Sequence, residues 1–118
     1  MFESPAADCS ESELSLDDLV HLSDPSVYLM RAGSDALSPS GIFKGDMLVV
    51  NRGKTVQAGA VVVAVVSEGL LIRHWQTVPS PALVSPRRDV PDIPVPEEGF
   101  EIWGVVTHSL RKHGLCPT

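Results

Sequence analysis

The chain has 118 residues, of which 43% are hydrophobic and 20% charged, with a net charge of −6. That length fits one domain with its own core. The acidic balance speaks against binding nucleic acid through phosphates, which needs clustered Lys and Arg. The longest apolar run, residues 60–66, is far short of a membrane span.

Cys9 and Cys116 lie near opposite ends and form no C-x-x-C motif, and the four histidines show no metal-ligand spacing beside them. Free thiols, no metal and no cofactor are the expectation. Met1 is followed by acidic and small residues rather than a signal peptide, so a cytoplasmic location is expected.

Residues 1–14 have little periodicity and read as an extended arm. Residues 15–22 place apolar side chains at Leu16, Leu19 and Val20, which suits one or two helical turns. Ser15 is the expected N-cap, Asp17 and Asp18 sit near the positive end, and Asp24-Pro25 closes the element.

A strand is expected over residues 27–32, followed by a tight turn rich in Ser34, Ser38, Pro39, Ser40 and Gly41. Lys44-Gly45-Asp46 then launches a strand over residues 47–51. The run 59–66 is apolar on both parities, as a central strand is. Residues 67–69 form a hairpin connection into a strand over 70–75, on which Leu71, Arg73 and Trp75 share one face. Six prolines punctuate residues 79–96. They leave room for a short strand at residues 82–84 and otherwise predict loop or edge. Arg87-Arg88 reads as a solvated pair. Residues 100–108 are the last strand, in which Trp103 is either an interface anchor or part of the core. Residues 113–118 form a flexible tail, and fraying is expected from residue 111 onward.

Four landmarks keep a common spacing: Ser4-Pro5-Ala6-Ala7-Asp8, the turn ending in Gly45-Asp46, the strand pair after Gly59, and Gly104-Val105-Val106-x-His108. Together they resemble the self-cleaving serine peptidases of the LexA/UmuD type from Phe2 to about residue 112. The resemblance implies a mostly β fold of bent, partly barrel-like sheets with a short N-terminal helix and an extended arm. It covers residues 15–112 as the domain. It also puts Met1 close to where the processed, UmuD-type form begins.

The family's nucleophilic serine falls on Ala36, in the turn Ser34-Asp35-Ala36-Leu37-Ser38-Pro39, and its general-base lysine falls on Arg73. Alanine has no hydroxyl, and arginine is not deprotonated in proteins. The expected identity is therefore a pseudo-peptidase. The expected function is a UmuD-type accessory subunit of an error-prone, translesion DNA polymerase in the SOS response. It would work as a homodimer that binds a UmuC-like Y-family polymerase and a RecA filament. Phe2, Ser4, Pro5, Trp103, Val105 and His108 are its expected dimer or partner surface.

Two rivals follow from the same residues, beside a third in which the chain is the dimerisation domain of a phage repressor that lost its DNA-binding half. One is a regulator that pairs with an active UmuD-like or LexA-like protein. The other is a serine peptidase whose nucleophile has moved to Ser34 or Ser38. For Arg73 itself the simplest expectation is a pair with Asp35 or Asp46, or a charge carried to water on its apolar stem.

Overall fold

The computed structural model describes residues 15–67 and 69–113. The expected arm 1–14, with Phe2, Ser4 and Pro5, and the tail from residue 114 onward, lie outside those residues. The first described element is the helix α1 (Leu16–Val20). Ser15 caps it as expected: the Asp18 N–H donates to Ser15 Oγ, and the Ser15 N–H donates to the Asp18 carboxylate. Only Val20 of the helix is buried. The helix stops at His21, in the left-handed region at φ 58°.

Seven strands follow: β1 (Val27–Arg31), β2 (Met47–Asn51), β3 (Val61–Val66), β4 (Gly69–Gln76), β5 (Ala82–Val84), β6 (Ile93–Pro94) and β7 (Glu101–Leu110). They make one sheet in the order β1-β2-β7-β3-β4-β5-β6, with every pair antiparallel. The mostly β expectation holds, with short helix and little else. The sheet stays open, because β1 and β6 are edges with no strand pairing between them. The bent sheet therefore does not close into a barrel.

The apolar run at residues 61–66 is central, between β7 and β4, and its two parities explain the two-sided core. Val63 packs on one face with Ala32, Leu37, Ile42, Leu48, Val50 and Ile72. Val62 and Ala64 pack on the other with Leu83 and Val105. Burying a Val or Leu side chain stabilises by roughly 1.5–3 kcal/mol, so both faces carry weight. Strand β1 is less buried than its sequence suggested: Tyr28 is 44% and Leu29 51% exposed, as befits an edge.

Gly104 stands where β7 crosses Val50. A Cβ built there would lie 2.6 Å from Val50 Cγ1 and 3.3 Å from the Asn51 carbonyl oxygen. The glycine of the Gly-Val-Val-x-His landmark is thus a packing requirement of the sheet centre.

Candidate functional site

The turn after β1 is built from short-range hydrogen bonds. The Ala36 N–H donates to Ser34 Oγ at 3.3 Å, and the Ser38 N–H donates to the Asp35 carbonyl at 3.0 Å. Ser38–Ser40 forms a single 3-10 turn with Pro39 inside it, closed by Gly41 at φ 88°. Of the three serines, Ser34 serves the turn with its side chain, by accepting the Ala36 N–H. Leu37 is fully buried in the core, so it anchors the whole turn.

Asp46 is the hub of the Gly-Asp step. It is 3% exposed, and its carboxylate takes Arg111 Nε and Nη2, each at 2.8 Å, plus the Phe43 N–H at 2.9 Å. Arg111 also donates to the Gly41 carbonyl, and its guanidinium lies 4.2 Å from the centre of the Phe43 ring. The Arg111 guanidinium beside it lowers the Asp46 pKa from 3.8 to about 2, against the opposing effect of burial. Gly45, at φ 93°, makes the tight corner that lets the Asp46 carboxylate fold back. Arg111 therefore does not fray as expected. It clamps the Gly-Asp turn to the end of β7.

A second clamp comes from the proline-rich connection. Ser85 Oγ donates to the Ala36 carbonyl. Arg87 Nη1 donates to the Asp35 carbonyl at 3.1 Å, while its Nε and Nη2 hold Asp89. Arg87, read from sequence as a solvated residue, is a strut for the turn. Nothing in its local sequence signals this, because its partner is some fifty residues away in the chain.

The two positions equated with the catalytic pair now have defined surroundings. Ala36 is 7% exposed, and its side chain is a methyl group. Arg73 is half-buried on β4. Its Nη1 donates to the Ile72 carbonyl at 2.7 Å, its Nε is buried without a partner, and burial pushes its pKa down. The expected pairing with Asp35 or Asp46 is corrected: Asp35 accepts the Lys44 N–H and Asp46 is taken by Arg111. Arginine remains charged in either setting.

Residues 30–34 and 70–73, with Leu48 and Val63, line one cavity of about 270 Å³. β5 covers β4 only from His74 to Gln76, so the stretch before it is open to the cavity. Ser34 and Arg73 thus meet at one cavity, whereas Ala36 is not among its lining residues. Among the described contacts no hydrogen bond joins Arg73 to the turn. The contact that does join the turn to β4 is Ser40 with His74, which a search for lysines passes over.

The expected partner surface divides. Val105 is 4% exposed and packs beneath the sheet, with β2 on one side and β3 on the other, so its side chain cannot serve a partner. Trp103 is half-buried. Tyr28 packs edge-on at 5.2 Å and the Arg52 guanidinium lies 4.5 Å from its ring centre. His108 is half-buried and its Nδ1 contacts Thr107 Oγ1. Among the described residues no group of three or more His, Cys, Asp or Glu is placed to hold a metal ion, and no helix is long and apolar enough to cross a membrane.

A turn anchored by Leu37, a Gly-Asp step that closes it, and a strand whose Arg73 shares a cavity with Ser34 form a peptidase-like arrangement, and the comparisons agree with it. The Peptidase S24-like family matches residues 2–107. Protein MucA of Salmonella typhimurium is 34% identical over 117 residues, which is 98% of this chain and 80% of MucA. Protein ImpA of Escherichia coli is 32% identical over 112 residues, covering 94% and 77% respectively. LexA repressor 2 of Xanthomonas axonopodis pv. citri is 29% identical over 109 residues, 91% of this chain and 51% of the repressor. The family match spans the turn, the Gly-Asp step and the cavity-lining residues. The chain belongs to the Peptidase S24-like family, as a UmuD-like member of its LexA/UmuD group.

Proposed function

We propose that this chain is a UmuD-type accessory subunit of an error-prone, translesion DNA polymerase, working by homodimerisation and protein binding and not by peptide cleavage. Family membership supports a role in mutagenesis. One observation carries the finer reading. At the two positions matched with the catalytic pair, a buried methyl group stands at Ala36 and a half-buried guanidinium at Arg73. Neither can perform its step: there is no hydroxyl to attack a carbonyl and no base to accept its proton.

The scaffold around those positions is kept by Leu37, by the Asp46–Arg111 pair and by the Ser85 and Arg87 bonds to the turn. A fold preserved around an empty pair suits a binding function. Partners in this reading are a second copy, a UmuC-like polymerase and a RecA filament, in the cytoplasm, with Trp103 and His108 as the described residues of the contact surface. Ser34 is a poor replacement nucleophile, because its oxygen already accepts the Ala36 N–H.

The test is incubation of the purified chain with itself and with a peptide spanning a UmuD-type cleavage site. No product is expected. Cleavage that disappears on Ser34→Ala or Ser38→Ala would replace this reading with a relocated peptidase.

A further inference from the structure

Ser40 and His74 form a pair that the family's catalytic positions do not account for. Ser40 ends the 3-10 turn and is exposed, while His74 is half-buried on β4. Ser40 Oγ lies 2.8 Å from His74 Nε2, and His74 Nδ1 lies 2.9 Å from the Gly59 carbonyl oxygen. A carbonyl oxygen can only accept a hydrogen bond. The ring proton of neutral His74 must therefore sit on Nδ1, which leaves the Nε2 lone pair facing the Ser40 hydroxyl. This is the hydrogen-bond order of a serine activated by an oriented imidazole, with a backbone carbonyl as the orienting group.

We propose that Ser40 is a reactive nucleophile with His74 as its general base, and that it takes activated acyl or phosphonyl groups. In the acyl case Ser40 Oγ bonds to the carbonyl carbon, its proton passes to His74 Nε2, and the bond to an alkoxide or phenolate leaving group breaks. The substrate class is limited by what surrounds the pair. The Gly41 N–H is bonded to the Ser38 carbonyl and the Ile42 N–H to the Leu37 carbonyl. The amides that follow Ser40 are thus unavailable to stabilise a tetrahedral oxyanion. Removing such donors costs a factor of roughly 10²–10³ in rate. Esters with good leaving groups are within reach and peptide bonds are not, so this activity is separate from the absent self-cleavage.

Two features make the pair more than a tether. Ser40 is exposed, so a reagent can reach it, and the fixed ring tautomer presents the correct nitrogen without rearrangement. The arrangement also links β4, the turn and Gly59, which lies just ahead of β3, across sequence separations of 34 and 15 residues.

The experiment treats the intact protein with a fluorophosphonate probe and maps the label by peptide mass spectrometry. In this reaction the phosphorus–oxygen bond to Ser40 forms, fluoride leaves, and the hydroxyl proton goes to His74. Labelling is expected at Ser40, to one equivalent. It should be abolished by Ser40→Ala and slowed by about a hundredfold or more in His74→Ala, the general-base range. His74→Gln, which keeps a polar group on β4, provides the folded control and should be as slow. Circular dichroism and elution volume verify the fold of each variant. A label elsewhere, no label on folded protein, or a rate unchanged in both folded His74 variants would overturn the proposal. None of these outcomes measures polymerase binding, so absent labelling or an unchanged rate leaves the accessory-subunit reading standing, whereas a label at Ser34 or Ser38 would favour the relocated peptidase.

Discussion

Asp46 is the residue on which the site's geometry depends most. Its carboxylate holds Arg111 and the Phe43 N–H in a nearly solvent-free position. Its folded pKa of about 2 lies below the ordinary 3.8. The group therefore adds stability that is fully present above 3.8 and is lost as pH falls from there through about 2. Thermal unfolding followed across that window should show a loss in the wild type that Asp46→Asn lacks. At neutral pH the same variant should be less stable by roughly 1–3 kcal/mol, because it loses charge-assisted hydrogen bonds. Leu37 is a second test. It was flagged in the sequence for lying beside Ala36, yet its side chain is 0% exposed in the core. Leu37→Ala should cost about 2–5 kcal/mol in chemical denaturation. On the proposed reading of Ala36 and Arg73, Ala36→Ser with Arg73→Lys supplies a hydroxyl and an amine. Slow cleavage of a supplied UmuD-type arm is the expected outcome of that double variant. A folded double variant that cuts nothing would mean that the surroundings of the pair have also drifted.

At the scale of elements, the positions of the helix and of most strands were legible. The helix cap at Ser15, the central run at residues 61–66 and the short strand at residues 82–84 each carry a local signal: a capping pattern, two apolar parities and a break between prolines. What the sequence did not disclose was pairing at a distance. Arg111 looked like the start of a fraying tail and Arg87 like a loop cation, since each finds its acceptor only after folding. Arg73 was expected to seek a carboxylate, but the carboxylates had already been claimed by backbone and by Arg111. His74 carries no local signal of its role, because Ser40 and the Gly59 carbonyl reach it only after folding. Val105 sits on the strand that was read as surface, yet alternation turns it inward. Gly104 provides the test at this scale. A methyl group there meets Val50 at 2.6 Å across the β2–β7 pairing. Gly104→Ala should destabilise by about 1–3 kcal/mol through overpacking, measured by denaturant midpoint.

For the whole molecule, the open sheet leaves edges, and exposed apolar residues lie near both the helix and β1, including Leu16, Leu19, Tyr28 and Leu29. An acidic chain that binds partners through protein contacts fits such a surface better than one that grips DNA phosphates. In the proposed function this UmuD-like chain serves a polymerase by binding, with no cleavage step. The most direct measurement is co-purification with a UmuC-like polymerase from the same source, with oligomeric state and chain mass read on the same sample. A stable complex containing a dimer of this chain at its full, uncut mass is expected. A dimer that ignores the polymerase but captures an intact UmuD-like or LexA-like peptidase would contradict it, and would identify a regulator of that peptidase instead.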